Sequence, residues 1–126
     1  MITLSLSEAF AYDLLAIADI KSLRNPGNAQ AAQICTDLDD EIARQVGLLK
    51  HTEVLHSEEY SALRLVNDEM YIRSDELKAR GERMGDAMYI DSRVHKRFLA
   101  KQALQQRWFP AEPLKEQKMG YGEGKA

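Results

Sequence analysis

Asp13 shares one side of an expected helix with Leu6, Phe10, Ile17 and Ile20, which places a carboxylate among apolar neighbours. A buried carboxylate needs partners. Arg97 and Lys101 fall on the same side of a later helix as Ile90, Val94 and Trp108 and can supply them. Asp13 paired with Arg97 or Lys101 reads either as a polar pocket between two helices or as an ion pair that sets their register. The ion pair is the favoured reading. Glu53-Val54-Leu55-His56 spells the Glu-x-x-His step with which di-iron bundles present a carboxylate and an imidazole to one metal. Such a site needs the step twice and two further glutamates. Here it occurs once, in an expected interhelix stretch, so Glu53 and His56 are the only metal candidates and no metal is expected.

His51 and His95 read as surface groups on helix flanks, since neither has a second histidine four residues away. Cys35 lies beside Ile34 and Leu38 on an apolar stripe and reads as a small packed hydrophobe, not a nucleophile. From Arg93 to Arg107 the chain carries Arg93, Lys96, Arg97, Lys101 and Arg107 and no acidic residue. This run could meet phosphates or an acidic partner; balance against the acidic first half of the chain is the favoured account. No Ser-His-Asp set and no glycine-rich phosphate loop is evident.

The elements that must position these residues are helices. Ser5-Leu6-Ser7-Glu8 reads as a capping box, opening a first helix that runs to about Arg24. Asn25-Pro26-Gly27-Asn28 has the chemistry of a tight turn and makes the first two helices a hairpin. Ala31, Ile34, Cys35, Leu38, Ile42, Val46 and Leu49 then form the cleanest apolar stripe. A break is expected between Lys50 and Ser57. Ser57 caps a third helix, with Glu58 and Glu59 in its first turn.

That third helix has a main stripe of Leu63, Val66, Met70 and Leu77. A second apolar row, Leu65, Ile72 and Ala79, lies on another side and calls for a partner. Gly81 and Gly85 bracket an interruption, and Asp86 caps a fourth helix that ends near Trp108, before Pro110 and Pro113. Its expected core residues are Ala87, Ile90, Val94, Phe98 and Trp108. Residues 1–114 form one expected domain, and 115–126 a flexible or partner-docked tail.

Composition agrees with this frame. The 126 residues are 44% apolar and 29% charged, the balance of a folded domain. One cysteine excludes an intramolecular disulfide and suits a reducing, cytoplasmic setting. The first residues lack the features of a signal peptide, and the longest apolar run, Leu14 to Ala18, is far below membrane-spanning length, so no membrane partner is expected. A net charge of −3 gives no global attraction to nucleic acid or acidic membranes, although local charge can still matter.

The run Asp13-Leu14-Leu15-Ala16-Ile17-Ala18-Asp19-Ile20-Lys21 resembles the Asp-x-Leu-x-Ile-x-x-Ile-Lys helix that opens a family of small uncharacterised helical proteins of bacteria and marine phages. Asn25-Pro26 follows as in that family, Asn67 and Asp75 match polar positions of its central helix, and Arg97 falls where its last helix carries arginine. Glu116-Gln117-Lys118-Met119-Gly120-Tyr121 is similar to its closing Glu-x-Lys-x-Tyr pattern, with one extra residue. Ser7 stands where glycine is common, and two extra residues precede Asp13. The resemblance implies a helical fold and no activity; members are found near genes for surface-glycan synthesis.

The expected fold is all-α, a bundle of three or four helices with long antiparallel helices. The expected function is a non-enzymatic interaction or structural module that forms a homodimer through Leu65, Ile72 and Ala79 and requires no cofactor, with a further protein partner left unnamed. The rival is a small enzyme or metal-binding protein built on Asp13, Arg97 and Lys101, with Glu53 and His56. A nucleic-acid accessory role for the basic helix is weaker, because basic arms and interleaved aromatics are lacking.

Overall fold

The computed structural model describes residues 5–79 and 87–112, the side chains of 87–91 excepted. Within them the protein is all-helical: α1 (Glu8–Arg24), α2 (Ala29–Val46), α3 (Leu48–Leu55), α4 (Glu58–Ala79) and α5 (Ala87–Trp108), with no strand. The interruption expected at Gly81 and Gly85, the cap at Asp86, the side chains of Ala87 and Ile90, and the tail lie outside the described residues.

α1 is the central element. It packs against α2, α4 and α5, and buries Ala9, Tyr12, Asp13, Leu15, Ala16, Ala18 and Ile20. Contact with three neighbours explains why its apolar residues surround it instead of forming one stripe. The capping box at Ser5 does not form: α1 starts at Glu8 with Ser7 as N-cap, and the Ser7 side chain makes no cap bond. Gln105 of α5 caps the helix from across the interior, its Oε1 accepting from the Ala9 amide at 2.9 Å while its Nε2 donates to Glu8 Oε1 at 2.9 Å.

The turn between α1 and α2 forms as its residues require. The Asn28 amide donates to the Asn25 carbonyl at 2.9 Å, and the Asn28 side chain caps α2 by accepting from Ala31 N at 3.1 Å. α2 buries only Ile42 of its stripe; Cys35, Leu38 and Val46 are half-buried and Ile34 is exposed.

The break expected between Lys50 and Ser57 is instead the helix α3, which raises the helix count to five among the described residues. Gly47, at φ +100°, turns the chain out of α2 and into α3, a backbone conformation costly for residues with a Cβ. Its amide still closes α2 on Ala43 O, and its carbonyl accepts from His51 N. Leu49, expected on the α2 stripe, falls in the first turn of α3 and is exposed. Only His56 and Ser57 separate α3 from α4, and Ser57 caps α4 with its Oγ accepting from Tyr60 N at 3.2 Å.

α4 buries Leu63, Val66 and Leu77 and leaves Leu65, Ile72 and Ala79 exposed. α5 ends at Trp108, but its inner residues are Lys101, Leu104 and Gln105. Val94, expected in the core, is exposed, and Leu6 of the first expected stripe is exposed ahead of α1.

Candidate functional site

Asp13, one turn beyond the α1 N-terminus, faces α4 and α5. It is 1% exposed, and three residues from those two helices converge on it. Asn67 Nδ2 donates to Asp13 Oδ1 at 2.8 Å and to the Leu63 carbonyl at 3.1 Å. Arg97 Nη2 stands 3.1 Å from Asp13 Oδ2, and Lys101 Nζ 3.9 Å from the same oxygen. These two contacts are charge on charge: Oδ2 has no aligned hydrogen bond. Lys101 is itself buried, with Nζ 5.3 Å from the centre of the Phe10 ring. The structure therefore brings Asp13, Arg97 and Lys101 together and adds Asn67.

A second buried polar chain links α1, α2 and α3. The Tyr12 hydroxyl lies 2.8 Å from His51 Nδ1, and His51 Nε2 lies 2.7 Å from Asp39 Oδ1. His51 is 2% exposed, which corrects its reading as a surface group. α3 carries it inward on the same side as Val54, also buried, one turn later. Nε2–H donates to the Asp39 carboxylate, leaving Nδ1 to accept from the Tyr12 hydroxyl, an assignment that follows from the network. Burial first, then the charges of Asp39 and Glu8, push the Tyr12 hydroxyl well above the usual tyrosine range, which keeps it a donor.

This arrangement resembles a proton relay in composition but not in access. Its phenol end is fully buried, so no substrate atom can reach it. Its carboxylate end borders an open cleft of about 410 Å³ lined by Asp19, Asp39, Cys35, His56 and Tyr60 among others. Cys35 is half-buried there, and burial, followed by Asp19 and Asp39, raises its thiol pKa, which disfavours the thiolate a nucleophile needs. Asp19 is held 2.9 Å from Arg64 Nε.

The remaining expected residues do not assemble. Glu53 is exposed on α3, and His56 is set just beyond it with Nδ1 on the Thr52 carbonyl at 2.8 Å. Among the described residues no group of three or more His, Cys, Asp and Glu side chains could hold a metal ion. The cations of α5 are largely answered by acids: Arg93 lies 3.7 Å from Glu69, Arg97 and Lys101 meet Asp13, and Arg107 lies 3.4 Å from Glu59. Lys96 and His95 stay exposed.

Fold and site together define a small helical protein whose interior polar groups tie helices to one another. No family model, curated protein or solved structure matches the chain. No described helix is long and apolar enough to cross a membrane.

Proposed function

We infer that this protein is a non-enzymatic helical module that acts by association, first with a second copy of itself, in a reducing cytoplasmic setting. The observation that carries this reading is the outer row of α4. Leu65 is 62% exposed and Ile72 39%, one heptad apart, with Ala79 a further heptad on. Full burial of such a side chain is worth about 1.5 to 3 kcal/mol, and a partner covering the part still exposed would recover a corresponding fraction. The interior polar groups, by contrast, are engaged with one another, Asp13 with Asn67, Arg97 and Lys101 and His51 with Tyr12 and Asp39.

Light scattering on the purified protein tests this directly. The expected result is a dimer that becomes monomeric when Leu65 and Ile72 are both changed to Ser. A monomer at every concentration sinks the reading.

The likeness to the bacterial and phage family bears on the polar cluster of α1, α4 and α5. Asp13, Asn67 and Arg97 match it on stretches far apart in the sequence, yet they meet at one buried point. That convergence supports kinship, and with it the view that the cluster is a framework feature. The same cluster is where the rival reading, a small polar binding site, would have to reside.

A further inference from the structure

We propose that the second copy docks through α4 and α5 jointly, with Leu65 of each chain seated on Leu99 of the other about a two-fold axis running along these helices. The proposal rests on the self-association reading above and specifies its interface.

α4 and α5 pack side by side. The pairs Glu69–Arg93 at 3.7 Å and Glu59–Arg107 at 3.4 Å show that they run in opposite directions and fix their register. Leu65 lies between Glu59 and Glu69 as Leu99 lies between Arg107 and Arg93, so the two leucines sit at about the same height. At about 100° per residue, Leu65 and Ile72 point away from Leu63 and Asn67, while Lys96, Leu99 and Ala103 point away from Lys101 and Gln105. Both outer rows are exposed, and Leu99 is 48% exposed.

Charge selects the pairing. The α4 row is flanked by Asp68, Glu69, Asp75 and Glu76, three of them beside Arg24, Arg93 and Arg73 of the same chain; stacked on itself it would still set acids against acids with no lysine in the row. The outer row of α5 carries Lys96 beside His95 and has no acid between Ser92 and Arg107. A two-fold axis along the helices preserves height, so it lays α4 over the partner's α5 and puts leucine on leucine twice. Lys96 of one copy then comes over the acid-flanked row of the other, at about the height of Asp68 and Glu69, which favours this pairing over α4 on α4.

The test uses the full chain in three forms, wild type, Leu65→Lys and Leu99→Glu, followed by light scattering across a dilution series. Each variant alone should raise the dimer dissociation constant at least about tenfold, the loss expected for one buried leucine. Mixing the two variants should restore a dimer, because the introduced lysine of one chain then faces the introduced glutamate of the other, while the second contact keeps both leucines. Circular dichroism spectra with the helical content of wild type show that the variants fold, while their melts should fall only by what the lost association contributed. A Leu99→Glu protein that dimerises like wild type overturns the α4 on α5 pairing and leaves self-association standing. A mixture that stays monomeric also overturns it. A wild-type monomer throughout defeats this proposal together with the reading beneath it.

Discussion

At Asp13 the energetics are set by what would be left behind. Truncating it to Ala removes the anion from Lys101, which is buried, and from Arg97, and leaves the Asn67 amide only its bond to the Leu63 carbonyl. Breaking a buried charge network by deleting one partner costs about 3 to 5 kcal/mol. Urea unfolding should show a loss of that order for Asp13→Ala; a change under about 1 kcal/mol would mean that the network contributes nothing to stability. The tyrosines give a pH prediction. Burial raises the pKa of Tyr12, with help from Asp39 and Glu8, and that of Tyr60, with Asp19 assisting. Unfolded tyrosine ionises near 10, so above about pH 10 the unfolded chain holds fewer protons than the folded one. Stability is therefore intact below that pH and falls as pH rises through it. Urea midpoints at about pH 9 and 11 should differ, and Tyr60→Phe should shrink the difference; equal midpoints would contradict the assignment.

Among the elements, those announced by local chemistry were legible. The turn at Asn25–Asn28, the Ser57 cap and the α5 terminus at Trp108 each depend on residues a few positions apart, and each is present. α3 was not legible, because a helix of eight residues has little propensity of its own and is held by what it packs on. His51 escapes a sequence reading for the same reason: its burial is decided by Tyr12, 39 positions away, and Asp39, 12 away. Gln105 gave no signal as a neutral polar residue in a helix, yet it caps α1. Asp13 could be traced to Arg97 and Lys101 because a charge on an apolar face requires an opposite charge on another. The entry to α3 can be tested by Gly47→Ala. No atom lies within 4 Å of the added Cβ, so the cost is the backbone conformation alone, at φ +100° and ψ 135°, and should be about 1 to 3 kcal/mol by thermal or urea unfolding. No measurable loss would show that the turn relaxes freely.

Across the whole molecule, the bond from Gln105 to the Ala9 amide joins positions 96 residues apart. A ribosome adding roughly 5 to 20 residues per second takes on the order of ten seconds to cover that distance. During that interval α1 has neither its cap nor the α5 side chains that meet Ala9 and Asp13. Its apolar circumference, suited to the centre of the finished protein, is the surface most in need of shelter while the chain is growing. α1 is made well before the helix that completes it, so chains halted before α5 should be the species that chaperones and proteases meet.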